Sequence, residues 1–438
     1  MITLMEKSNG LSNFRNLYKI LAFICGVLLG ITSLGLSIAN NYSVTWLVFC
    51  VLISAYFPLV YIKKERPKIS YGFFSVFICY FLFCLWVFAF PIITNSYWPL
   101  SFRSLVANLI FLLVAYLVIK NLRNQNAIFF GFIFVCGVEA VLTILDHFEV
   151  NTLVGGYYSF RSAGLSGNPN VTAYMLSLGI VVLIAVRSTL DIKPTKNAIF
   201  LFVVSLFAIG ILLTSSRSGL LVLVTLVLFF FKNIKLWFSV IFLTSGAALS
   251  INIMPRPPET FLRLQDFVLN LFSLAVRNES QLTIVGIGAK SLKTRMETSY
   301  ASLQIFLDHP ITGVGSQAFR PILVNEYGVI AGPHNVYTMI AAQFGAVGLI
   351  TFFFFMAGLF SIAWKSRKIS LAKGINTSGS MSMLAFLVSL LFIGIAWNFL
   401  HKELFWVFVI LLITYSEFLT RLPSKKPEVV RQTSRVLG

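Results

Sequence analysis

Runs of apolar residues long enough to cross a bilayer recur along this 438-residue chain, each bounded by a short polar segment. A span needs about 20 such residues, or fewer where flanking side chains reach the interface. Twelve runs qualify, over residues 20–39, 44–62, 73–93, 102–119, 127–145, 171–186, 198–213, 219–231, 236–253, 336–363, 381–397 and 404–418. An outer-membrane barrel is excluded, because its strands alternate and carry no such runs. The expected architecture is an all-α polytopic membrane protein of about 12 transmembrane helices. Composition agrees: 58% of the residues are hydrophobic and 11% charged, against roughly 45–50% and about 25% in a soluble domain.

The formal charge of +19 would suggest nucleic acid as a partner in a soluble protein. Here the basic residues mark loops instead. Lys63 to Lys68, Lys120 to Arg123, Arg187 to Lys196, Lys232 to Lys235, Lys365 to Lys368 and the tail from Arg421 each follow an even-numbered span. The connections after odd-numbered spans are poor in Lys. Lys and Arg gather on the cytoplasmic side, so both termini are expected there. The five cysteines (Cys25, Cys50, Cys79, Cys84 and Cys136) lie inside apolar runs and read as small packing residues. The first run is too long for a cleaved signal peptide and reads as an uncleaved span. The expected organisation is spans one to nine over 1–253, a large periplasmic loop over 254–333, spans ten to twelve over 334–421, and a basic cytoplasmic tail over 422–438. Within the loop, residues 261–274 and 299–306 have apolar residues near helical spacing. Short helices are therefore expected there, and the apolar patch 282–287 is placed to touch lipid.

Four polar segments fall on the outward side. Arg161-Ser162-Ala163-Gly164-Leu165-Ser166-Gly167-Asn168-Pro169-Asn170 precedes the sixth span, and Asn170 is a candidate N-cap for it. Thr214-Ser215-Ser216-Arg217-Ser218-Gly219 breaks the apolar sequence between spans seven and eight. Lys293-Thr294-Arg295 enters a helical stretch that ends at Asp308-His309-Pro310, where His309 has a structural, helix-ending role. Gly332-Pro333-His334-Asn335-Val336 begins the tenth span.

Arginine suits a phosphate, because its planar fork donates two parallel hydrogen bonds and stays charged. Arginines on separate segments can together neutralise a diphosphate. His334 stands at a helix start, where the positive end of the dipole disfavours imidazolium. A neutral imidazole can accept a proton and so act as a general base. Each residue alone has a plainer reading. Arg217 can cap span seven or reach lipid headgroups, Arg161 and Arg295 can be loop charges, and His334 can be a hydrogen-bonding residue at a helix start. Asp146, His147 and Glu149 read as a headgroup-facing polar cluster rather than a metal site. Joint occurrence on one face, in segments with turn chemistry, selects the first four.

Taken together the four segments resemble the O-antigen ligase and polymerase superfamily of bacterial membrane glycosyltransferases. The patterns are RSAGLSGNPN from Arg161, TSSRSG from Thr214, KTRMETSYASLQIFLDHPITGVG from Lys293 and PHNVYTMIAAQFGAVGLI from Pro333. The resemblance implies a C-type glycosyltransferase fold, a glycan on undecaprenyl diphosphate as donor, inversion at the anomeric carbon, and neither metal nor cofactor. It implies that Arg217 and Arg295 hold the donor diphosphate and that His334 activates an acceptor hydroxyl. Arg161, Asn170 and Asn335 become substrate-binding candidates. The acceptor implied is lipid A–core, or a second lipid-linked glycan if the protein is a repeat-unit polymerase. The implied location is the bacterial inner membrane with a periplasmic active site among membrane lipids.

A transporter or flippase is the competing class, since twelve spans are common there. Against it, no acidic residue is expected mid-span to couple an ion, no inverted repeat is visible, and the polar residues gather at one face.

Overall fold

The computed structural model describes residues 19–34, 37–38, 42–43, 71–94, 100–121, 125–148, 162–190, 194–229, 289–330, 332, 334–395, 398–400 and 402–424. They form the helices α1 (Lys19–Ser33), α2 (Tyr71–Thr94), α3 (Leu100–Asn121), α4 (Gln125–His147), α5 (Pro169–Thr189), α6 (Pro194–Leu213), α7 (Arg217–Phe229), α8 (Ala289–Asp308), α9 (Gly315–Asn325), α10 (Val336–Ala372), α11 (Ser378–Ile393) and α12 (Glu403–Arg421). The protein is a polytopic membrane protein whose described secondary structure is helical apart from one pair of two-residue strands. Among the described helices, α4, α5, α10 and α12 are long and apolar enough to cross a membrane by length and composition.

Two expected spans, 44–62 and 236–253, lie outside the described residues, as do the loop stretches 261–274 and 282–287. The other ten each coincide with a helix, with two corrections. The run 20–39 is helical only to Ser33, and beyond it Ser37–Ile38 pairs antiparallel with Tyr42–Ser43. Gly35 and the pair Asn40-Asn41 are turn formers that hydropathy alone does not register. Conversely, α10 runs on through Lys365 to Lys368, which the charge pattern assigned to a connection. No glycine or proline interrupts that stretch before Gly374. The loop stretch 299–306 falls inside α8 as expected.

α5 is the central helix. Nearly all of it is buried, and it packs against α4, α6, α7, α11 and α12. Lipid chains are as apolar as leucine, so close packing and interhelical hydrogen bonds hold such helices together. Small residues on α11 allow that approach to α5: the buried Ser382 hydroxyl donates to Val181 O at 3.1 Å. A second seam joins α2, α10 and α12 through Tyr80, Phe355 and Trp406, with ring centroids 4.4 to 5.9 Å apart. At one end of the bundle the basic residues collect. Lys120 donates to Tyr116, whose hydroxyl donates to Glu417, and Arg421 donates to Lys120 O at 3.2 Å. Lys373 reaches Thr420 O at 2.6 Å at the same end. The starts of α5, α7 and α10 lie at the other.

A break in α10 sets that second end. Gly345 has φ 65° and ψ −164°, so the helix is two segments joined at a kink. A kink of this kind frees backbone groups that must be satisfied elsewhere. The turn after α8 supplies two partners: Val314 N donates to Ala342 O at 2.9 Å, and Ala346 N donates to Pro310 O at 2.8 Å. Trp86 on α2 supplies a third, its indole N–H donating to Phe344 O at 3.0 Å. Only glycine fits at 345. Its φ lies in the left-handed region, and a Cβ there would sit 2.1 Å from Ile311 O. Turn and kink thereby hold α8 in one register against α10.

Candidate functional site

The start of α10 is tied down on three sides. Asn335 is the N-cap: its side-chain oxygen accepts from Tyr337 N at 2.9 Å and Thr338 N at 3.2 Å. Val336 N donates to Gly394 O at 2.8 Å, and the Tyr337 hydroxyl donates to Leu391 O at 2.6 Å. Asn335, a substrate-binding candidate by sequence, therefore has its carboxamide oxygen committed to the cap. His334, one residue earlier, is half-buried. Burial, and after it the charge of Arg295, lowers its pKa from the ordinary histidine value. A neutral imidazole was expected here from the helix dipole. The direction agrees, but desolvation and a neighbouring guanidinium are the causes.

Arg295 reaches that position from α8. The helix buries Thr298, Ala301, Ser302 and Ile305 and packs against α10. The Arg295 Nε is buried and meets no hydrogen-bond partner among the described residues. Burial lowers its pKa and Tyr174 works in the opposite sense. A guanidinium titrates so high that it stays charged regardless. An ion donor held in place with an unused N–H is a ready partner for an incoming anion.

Tyr174 is the residue that joins the segments, and sequence reasoning missed it. It lies on α5, fully buried, with its hydroxyl facing Ser218 and Arg295. Its signal was present: a tyrosine one helical turn after Asn170 in an otherwise aliphatic run. Ser218 is the second residue of α7, so α5, α7, α8 and α10 meet here. Arg217 opens α7 and is placed by its backbone. Arg161 lies outside the described residues.

The 162–170 segment joins the same neighbourhood through Asn170, whose side-chain oxygen accepts from the Ser216 hydroxyl at 3.0 Å. The N-cap of α5 is Asn168, not Asn170: Asn168 Oδ1 accepts from Asn170 N at 3.0 Å. Proline prefers the first helical position, so Pro169 takes it and the cap falls on Asn168, two residues before the expected one. An acid does stand mid-span, which the sequence reading, concerned with ion coupling, passed over. Glu139 lies well inside α4 and is fully buried. Its carboxylate accepts from Leu165 N at 3.0 Å and from the Thr172 hydroxyl at 2.8 Å. Asp146, grouped by sequence with His147 and Glu149, accepts instead from Ala163 N at 2.7 Å. His309 is exposed and follows the last residue of α8, in keeping with a helix-ending role.

No curated protein matches the chain. Residues 201–353 match the family model described as O-Antigen ligase, a stretch that includes Arg217, Arg295, His334 and Asn335.

Proposed function

Because the chain belongs to the O-antigen ligase superfamily, we propose that it transfers a glycan from undecaprenyl diphosphate to an acceptor hydroxyl of lipid A–core. The family itself carries the coarser statement: a glycosyltransferase-like enzyme of ligase or polymerase type in lipopolysaccharide biosynthesis. In the finer reading the protein sits in the inner membrane with both termini in the cytoplasm and its site on the periplasmic side. The fold is of the C-type glycosyltransferase kind.

Arg217 and Arg295 pair with the donor diphosphate and stabilise the charge that grows as the C1–O bond breaks. The acceptor oxygen attacks the opposite face of C1 and forms the new glycosidic bond with inversion. His334 takes the proton from that hydroxyl, and undecaprenyl diphosphate leaves. Arg161 and Asn170 contribute to substrate binding. The observation that carries the reading is the Arg295 charge acting on a half-buried His334, with an unused Arg295 N–H beside them. A base must be neutral to work, and burial first, then the guanidinium neighbour, favours that form.

A polymerase joining lipid-linked repeats uses the same donor chemistry, and the family covers both types. Purified protein given a lipid-linked repeat, with and without lipid A–core, separates them. Transfer to core supports the ligase; longer chains formed without core mean a polymerase. Folded protein that yields neither product rules out both.

A further inference from the structure

Two carboxylates of α4 grip one turn of the outward-facing segment. Glu139 and Asp146 stand seven residues apart, on one face of the helix. Asp146 takes Ala163 N at 2.7 Å, and Glu139 takes Leu165 N at 3.0 Å and Ser166 N at 3.5 Å. The Thr172 hydroxyl closes the cradle at 2.8 Å from Glu139 Oε1. Gly164 makes the approach possible: its φ is 55°, and a Cβ would lie 2.7 Å from the Glu139 carboxylate. A buried acid in a membrane helix is expensive, and such residues generally mark function. This one faces two loop amides and a hydroxyl.

The gripped turn leads directly to the site. It is followed by the Asn168 cap and by Asn170, which holds Ser216 at 3.0 Å. Ser216 stands 3.2 Å from Ser218, the neighbour of Arg217 that faces Tyr174. Resting on the donor reading above, we propose that Glu139 and Asp146 form a carboxylate clamp that positions the 162–170 turn and the start of α7, and so sets affinity for the lipid diphosphate. Neither acid touches the reacting atoms; both are positioning residues. Glutamine loses one acceptor, because its NH₂ would stand against either the Leu165 or the Ser166 N–H, and neither can accept.

The test compares Glu139→Gln and Asp146→Asn with the parent chain in detergent. Donor KM, kcat and the Kd for undecaprenyl diphosphate are measured, with hydrogen exchange at the Leu165 and Ser166 amides. The clamp predicts about a tenfold rise in KM and in Kd with kcat within about threefold, and faster exchange in Glu139→Gln. A purely structural acid would shrink the active fraction, lowering apparent kcat at unchanged KM and Kd; that result overturns the proposal. Should Glu139→Gln fail to fold, Asp146→Asn, at a half-buried position, decides by the same criteria. A parent chain that binds undecaprenyl diphosphate without transferring glycan would sink the function reading, while the Kd comparison still judges the clamp.

Discussion

In the proposed mechanism His334, beside Arg295, is a base that works in mildly acidic conditions. Burial and the guanidinium both favour the neutral imidazole, so protonation sets in only below the ordinary histidine value of about 6.5. The acid limb of kcat/KM for transfer should therefore have its midpoint below that value. Arg295→Gln removes one of the two causes. Its limb should move upward toward the ordinary value, while the rate falls by about 10²–10³-fold through the lost electrostatic donor. Rate profiles of the two proteins across about pH 5 to 8 check this; a variant midpoint that stays put or moves down would contradict it. Charged residues are so sparse in this chain that Arg217, Arg295 and His334 stood out by type and side alone. Tyr174 and Glu139 did not, because a phenol and a single acid inside apolar runs look like packing until their partners, far away in sequence, are in place. Asn170 was misassigned as a cap for a local reason, the preference of Pro169 for the first helical position.

At the scale of elements, the kink in α10 carries the strongest demand. Trp86→Phe removes the donor to Phe344 O and leaves a buried carbonyl unpaired, a cost of about 1–3 kcal/mol before any cavity term. Gly345→Ala meets both the left-handed φ and the Ile311 carbonyl, and should lose more. Thermal unfolding midpoints in detergent should rank parent above Trp86→Phe above Gly345→Ala; the reverse order of the two variants would remove the kink from the account. The helices themselves were legible, since hydrophobic run length is a direct record of burial in lipid. Their ends were not. Hydropathy passed over Gly35 and over the helix-forming tolerance of Lys365 to Lys368. The kink lay hidden because backbone atoms of 310–314 and 342–346 make it, and no side-chain pattern records such a pairing.

The whole molecule has two unlike ends. Lys120, Lys373 and Arg421 gather at one, and His334, Arg295 and Asn170 at the other. If the basic end is cytoplasmic, a cysteine at the exposed Glu326 position reacts with an impermeant thiol reagent in cells whose outer membrane alone is opened, and one at the exposed Lys365 position reacts only after lysis. Labelling in the opposite order would invert the proposed topology and place the site in the cytosol. The buried acid Glu139 is engaged by two amides of the outward-facing segment and by the Thr172 hydroxyl. The turn at 310–314 also bears on any attempt to recombine this protein with a relative. It meets α10 through main-chain atoms, so sequence in the turn can drift while the fit survives, except at Gly313, where φ is 70° and a Cβ would sit 2.5 Å from the Gln343 backbone, and provided both halves descend together. A chimaera therefore has to exchange 308–346 as one cassette; a crossover inside it would pair a key with a foreign lock and shift the arginine helix relative to the histidine.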